Sequence, residues 1–231
     1  MKDIQKNKEY KYIYCIINKN IKKNFGKIGI NENRVYTIPY EKFSIIINDC
    51  SVKEIKDKKN IDLAIEHQYV VDAMMKKFNT LIPFNAGTLI KEENIKNWID
   101  KNYKKFLNIF KKIKNKQEFG IQIFYNITIK KRELTDKVKD YINKQKNLRE
   151  ELMVILIKYK GDFYNQISEI ADEVKNIEIN QSSIDKQMLL NLACLVDKNK
   201  IEKLTNYLKK INNNEFSVNF NGPWAPYSFV S

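Results

Sequence analysis

Leu189-Leu190-Asn191-Leu192-Ala193-Cys194-Leu195-Val196 is the stretch from which the fold can be read outward. It is short for a helix and apolar at odd and even positions alike, which suits a strand covered on both faces. After it, Ile201, Leu204, Leu208 and Ile211 recur at spacings of three and four, predicting a helix of about three turns. Phe216, Val218 and Phe220 then alternate with Ser217, Asn219 and Asn221, a strand with one apolar face. Before it, Ile177 to Ile179 alternates, Arg132 to Val174 reads as long helix broken at Gly161, and Phe119 to Tyr125 alternates as a strand. The order is strand, helices, strand, strand, helix, strand. That is the ferredoxin-like split pattern with extra helix inserted after its first strand.

The first half reads as mixed helix and antiparallel strand. Lys11 to Ile17 is apolar on both faces and predicts a central strand. Val35 to Ile38 and Phe43 to Asn48 are strand candidates on either side of Pro39, and the lysine-rich Lys53 to Asn60 reads as a loop. From Ile61 to Phe78, Leu63, His67, Val70, Val71, Met74 and Phe78 share one helical face. Thr80 to Pro83 is short and extended, and Gly87 marks a turn. A second stripe of Ile95, Trp98, Ile99, Phe106, Leu107, Phe110 and Ile113 predicts another helix, with lysines opposite. The expectation is an α+β chain of two domains, residues 1–114 and 115–231, the second modified ferredoxin-like and ending in a tail rich in proline and aromatic residues.

Composition bounds the function. With 231 residues, 43% hydrophobic and 30% charged, the balance is that of a soluble chain. No apolar run reaches the roughly 18–20 residues of a membrane span, and the charged start, Met1 to Glu9, lacks the apolar core of a signal peptide. A cytoplasmic protein is expected. Cys15, Cys50 and Cys194 are few, scattered and odd in number, which fits neither a disulfide framework nor a metal site. Cys15 and Cys194 lie in apolar runs and read as buried small hydrophobes. The net charge of +14 favours an acidic partner. Lysine, however, far outnumbers arginine and is spread throughout, whereas planar recognition of phosphates and bases favours arginine.

Little here points to catalysis. The single histidine, His67, lies on an apolar helical stripe, the place of a hydrogen-bonded core residue. Glu92-Glu93 and Glu150-Glu151 are adjacent pairs on predicted helices; adjacent side chains point apart, so both read as solvated surface. Gly26-Lys27-Ile28-Gly29 has the spacing of a nucleic-acid clamp, but its neighbours read as strand and a plain turn is favoured. No phosphate loop, dinucleotide fingerprint or nucleophile elbow occurs. Neither an enzyme nor a cofactor is expected. Tyr10-Lys11-Tyr12 and Lys158-Tyr159-Lys160 interleave rings with cations, so a basic nucleic-acid-binding module stands as the alternative.

The ending is Asn221-Gly222-Pro223-Trp224-Ala225-Pro226-Tyr227-Ser228-Phe229-Val230-Ser231. Its prolines bar helix and central strand, predicting a stiff irregular tail whose rings dock on something. This ending resembles the closing motif of the GvpF/GvpL family of gas vesicle proteins, keeping its Gly222-Pro223-Trp224 and Pro226-Tyr227-Ser228-Phe229 cores and departing at Asn221 and Ala225. Leu190 to Asp197, Tyr12 to Ile16, and the block from His67 through Pro83 and Gly87 to Thr88 resemble further family segments. Asn85 and Ala86 replace that block's usual arginine and phenylalanine.

The resemblance implies a non-catalytic accessory or minor structural protein of gas vesicle assembly, cytoplasmic and associated with the vesicles. Its implied partners are the small hydrophobic shell subunit and other accessory proteins; no membrane is expected, and nucleic acid is disfavoured as a partner. Trp224, Tyr227 and Phe229 are the candidate partner-binding residues, in a tail shaped by Gly222, Pro223 and Pro226. His67, Pro83, Gly87, Thr88 and Asn191 are the motif positions assigned structural roles. If Trp224 instead packs back on the C-terminal sheet, Trp224→Ala should cost about 3 to 5 kcal/mol.

Overall fold

A computed structural model of the chain describes residues 9–126, 138–178 and 186–230, side chains of 138–151 and 186 excepted. The fold is α+β. Two compact units form, Met1–Gln117 together with Trp224–Ser231, and Glu118–Pro223. The closing segment therefore belongs with the first unit and not, as its place in the sequence implies, with the sheet that precedes it.

The first unit is built around β1 (Tyr10–Ile17). With β2 (Asn24–Gly26), β3 (Val35–Tyr40), β4 (Phe43–Cys50) and β5 (Leu81–Pro83) it makes a sheet of order β2-β3-β4-β1-β5, and β6 (Leu89–Lys91) also pairs with β1. β4 runs antiparallel along one edge of β1, while β5 and β6 share the other. Between Ile13 and Cys15 the register with β4 shifts, a bulge at Tyr14. A bulge changes which face successive side chains take. It lets Tyr12, Tyr14, Cys15 and Ile17 all join one core, beneath Leu63, Val70, Val71 and Met74 of α2 (Asn60–Lys77). On the opposite face Phe43 meets Phe106 and Phe110 of α3 (Ile95–Ile113).

Some details depart from the sequence reading. The segment read as a loop, Lys53 to Asn60, overlaps α1 (Val52–Lys56), started by a reciprocal capping box in which Ser51 and Glu54 bond each other's backbone N–H. Pro39 lies inside β3, opposite Ser44 near the hairpin end, where the loss of one donor is tolerated. β2 and β6 have too few residues to show a period. In the α3 stripe, Ile109 is buried and Leu107 only half-buried.

The second unit runs β7 (Lys116–Asn126), α4 (Val138–Ile170), β8 (Glu173–Asn176), β9 (Lys186–Asp197), α5 (Ile201–Ile211) and β10 (Phe216–Trp224), with sheet order β10-β7-β9-β8. Every residue of Leu189–Val196 is buried except the half-buried Asn191, as a doubly covered strand requires. Its core joins Ile121 and Ile123 to Leu192, Cys194 and Val196, and to Phe163 and Ile167 of α4 and Leu204 and Leu208 of α5. Val174 belongs to β8 and not to the long helix. Ile179, and the start of the stretch read as helix at Arg132, lie outside the described residues.

α4 continues through Gly161 without a break. A Cβ built there meets nothing within 4 Å, so the glycine adds backbone entropy to the unfolded chain without a packing reason. Gly161→Ala is expected to stabilise the second unit by about 0.5–1 kcal/mol, seen as a higher urea midpoint. An unchanged or lower midpoint would mean that α4 needs its glycine. β10 tolerates Pro223 because it is an edge strand, so the predicted irregular tail begins only after Trp224.

Candidate functional site

A buried polar cluster sits under α2. Its helical register puts His67 on the same face as Leu63, Val70 and Met74, so the ring points into the core. Gly87 N–H donates to Tyr12 Oη at 2.8 Å, and Tyr12 Oη lies 2.9 Å from His67 Nδ1. Burial pushes the Tyr12 phenol up to about 12, so it keeps its proton and donates it to Nδ1. The imidazole proton then sits on Nε2. That atom makes no well-formed hydrogen bond, although the nearby Phe84 carbonyl favours the proton. Burial nevertheless dominates and pushes the His67 pKa down to about 4. The ring is neutral and stacks on Tyr14, with centroids 5.4 Å apart.

Tyr14 performs the matching task on the other side. Its hydroxyl accepts from Ile30 N–H at 2.9 Å and donates to Asn48 Oδ1 at 2.5 Å. Gly29 leaves room for it: an added Cβ would stand 2.8 Å from Tyr14 Oη and 2.9 Å from the Asn33 carbonyl. The Gly26-to-Gly29 turn is thus a seat for a buried tyrosine. Sequence reasoning missed Tyr14 and Asn48, although an asparagine inside the apolar Phe43–Cys50 run was a signal of a buried partner.

The turn after β5 is held by the same cluster. Pro83 is buried opposite Cys15, and Gly87 takes φ 88°, a region open to glycine. Thr88 closes the turn through Oγ1, which donates to the Asn85 carbonyl at 2.7 Å, and its own carbonyl accepts from Ile13 N–H at 2.9 Å. In the second unit Asn191 accepts from Gln122 and donates to the Glu178 carbonyl, both at 3.4 Å.

The closing segment divides its residues. Gly222 takes φ 124°, and a Cβ there would stand 2.9 Å from the Phe119 ring and 3.0 Å from the Glu118 carbonyl, so only glycine fits. The Gly222–Pro223 peptide is cis and Pro223 is exposed. Trp224 is 44% exposed. Ala225 and Pro226 are buried in the first unit. Tyr227 is half-buried, donating to Gln68 Oε1 at 3.2 Å, and Phe229, offered above as a partner contact, is only 2% exposed. Lys112 Nζ lies 5.7 Å from the Phe229 ring and donates to its carbonyl at 3.2 Å. The staple is therefore Phe229 and not Trp224, and the cost of truncation expected at Trp224 moves to Phe229.

Two buried thiols and one lysine have shifted acidity, held by cores or by an ion pair. Burial pushes the Cys15 thiol up, and that of Cys194 up to about 12. Lys11 is buried yet held cationic by Asp49 at 2.5 Å and Glu92 at 3.0 Å, with Tyr36 also donating to Asp49. Glu92 lies in the turn before α3 and carries this pair, so it is more than the solvated surface the sequence implied. The Tyr10-Lys11-Tyr12 run is spent internally. Tyr159 stacks on Phe163 at 5.8 Å. Among the described residues, no cluster of three His, Cys, Asp or Glu side chains could hold a metal, and no helix is long and apolar enough to cross a membrane.

Two helices also present exposed apolar side chains. Ile61, Ile65 and Tyr69 of α2 are 73%, 63% and 63% exposed, and their spacing of four lines them along one side of the helix. On α4, Met153, Val154, Ile155 and Ile157 are likewise exposed.

Residues 10–231 match the family model described as Gas vesicle synthesis protein GvpL/GvpF. The chain is 22% identical over 238 residues to gas vesicle protein L of Haloferax mediterranei, covering 90% of this chain and 74% of that protein. The crystal structure of the gas vesicle protein GvpF from Anabaena sp. PCC7120 superposes with a TM-score of 0.74 at 18% identity, covering 96% of this chain and 98% of the other. That of GvpF from Microcystis aeruginosa gives 0.71 at 19% identity, covering 96% and 99%. At these identities the structural likeness speaks for the fold.

Proposed function

We propose that this chain, which belongs to the GvpL/GvpF family of gas vesicle proteins, is a non-catalytic assembly factor that binds the small hydrophobic shell subunit and other accessory proteins in the cytoplasm. The observation that carries this reading is the row of Ile61, Ile65 and Tyr69 along α2. Scattered exposed apolar residues are ordinary, but large ones aligned on one helix mark a protein-binding surface. Covering each would contribute roughly 1.5–3 kcal/mol before the costs of association. A very apolar small subunit is the partner such a row suits. In the second unit, the order strand, helix, strand, strand, helix, strand supports a ferredoxin-like assignment, with α4 offering a further apolar face. In this reading the exposed Trp224 is the tail residue that touches a partner, with Tyr227 at its edge. Phe229 acts by holding the tail in place.

The test is co-purification of the co-expressed shell subunit with wild type and with the triple variant Ile61→Ser, Ile65→Ser, Tyr69→Ser. All three positions are exposed, so the variant should melt close to wild type while losing most of the subunit. Undiminished recovery would remove α2 as the docking face.

A further inference from the structure

We infer that a groove of about 300 Å³ beside α3 binds an acidic segment of a protein partner that inserts an aromatic or aliphatic side chain. The inference rests on the reading that this chain works by binding proteins, and adds a second site of different chemistry. The groove is made by three parts of the first unit. The end of β5 and the following turn supply Pro83, Phe84 and Asn85; α3 supplies Trp98, Asn102 and Lys105; the closing segment supplies Tyr227 and Val230. Trp98 is half-buried and packs at 5.6 Å from Phe84 and 5.4 Å from Phe106, so the lining is a fixed aromatic wall. Its volume is at the lower end for binding clefts, enough for a pair of side chains.

Charge identifies what accompanies those side chains. α3 carries Lys96, Lys101, Lys104, Lys105, Lys111 and Lys112 against one acid, Asp100, whose carboxylate accepts from the Tyr40 hydroxyl. Among the described residues, Lys101, Lys104 and Lys105 make no ion pair. Lys101 and Lys105 fall on one row of the helix, four residues apart, bordering the row of Trp98 and Asn102. A slot walled by Phe84, Trp98 and Phe106 and bordered by Lys101 and Lys105 selects an apolar anchor flanked by carboxylates. A second copy of this chain is a poor occupant, since its net charge is +14. Nucleic acid is also a poor fit. No arginine lines the slot, whereas planar recognition of phosphates and bases favours arginine.

The test uses the full chain and a capped synthetic peptide with a leucine–phenylalanine pair between two runs of three acidic residues. Titration is followed by calorimetry and by the Trp98 indole resonance. Binding should shift that resonance, weaken at least tenfold when the leucine–phenylalanine pair becomes two serines, and weaken at least tenfold in the Lys101→Glu, Lys105→Glu variant. Both lysines are exposed, so the variant should fold as wild type. Equal binding of the serine peptide would reduce the site to a basic surface and overturn the slot. Tighter binding of an oligothymidylate than of the acidic peptide would overturn the protein partner. No binding of any probe, with the shell subunit still co-purifying, would overturn the groove alone and leave the α2 reading standing.

Discussion

Replacing Phe229 by alanine is expected to destabilise the first unit by about 3–5 kcal/mol, the cost of emptying a buried aromatic site. The ring is only 2% exposed and lies beneath the Lys112 ammonium, whose Nζ also donates to the Phe229 carbonyl at 3.2 Å. Ala225 and Pro226 are buried in the same stretch, and Tyr227 reaches Gln68 on α2. Removing the ring should therefore free the whole closing segment. Trp224→Ala, by contrast, alters a residue 44% exposed and should cost much less. Urea unfolding of the two variants side by side checks the order. If Phe229→Ala unfolds at the wild-type midpoint, the segment is not stapled by its phenylalanine.

Acid should weaken the protein in a window set by His67. The folded-state pKa is pushed down to about 4, chiefly by burial, against an ordinary 6.5. Above 6.5 the ring is neutral in both states and contributes no pH dependence. Between 6.5 and 4 the unfolded chain binds a proton that the folded chain refuses, so stability falls with pH. Below 4 both states are protonated and the loss is complete, about 3 kcal/mol in all. Glu66 adds its own acid loss lower down. Despite some desolvation, Lys58 and the Asn31 N–H hold its carboxyl below the usual 4.5, so its stability is lost only under that value. Urea midpoints between pH 7 and 5 therefore isolate the histidine. A His67→Gln variant should lose the slope in that range. A slope equal to wild type would show that another group carries it.

Much of the fold was legible because burial imposes a period. Leu63, His67, Val70, Val71 and Met74 of α2 are the buried face that their spacing predicts, and the unbroken apolar run at Leu189–Val196 is a doubly covered strand. What escaped was local chemistry without a period. The capping box of Ser51 and Glu54 was present in the sequence but masked by the lysines around it. The bulge at Tyr14 carries no pattern of its own, since every neighbour is apolar. Gly161 breaks no helix, because a glycine weakens a helix by about 1 kcal/mol and the packing of Phe163 and Ile167 outweighs that. In the closing segment, composition revealed that rings must dock but not which. Trp224 is 44% exposed and Phe229 only 2%, a difference that composition does not encode. The groove beside α3 draws on three separated segments, so no window of sequence contains it.

Apolar capture of a small hydrophobic subunit is the role proposed for this chain. The direct measurement is the affinity of the full chain for that subunit, held in solution in detergent, at salt concentrations from 50 mM to 1 M. Contacts made by Ile61, Ile65 and Tyr69 predict an affinity that changes little with salt and drops at least tenfold in the triple serine variant. An affinity that falls steeply with salt, and is indifferent to those three residues, would contradict it and make the lysine-rich surface the functional one.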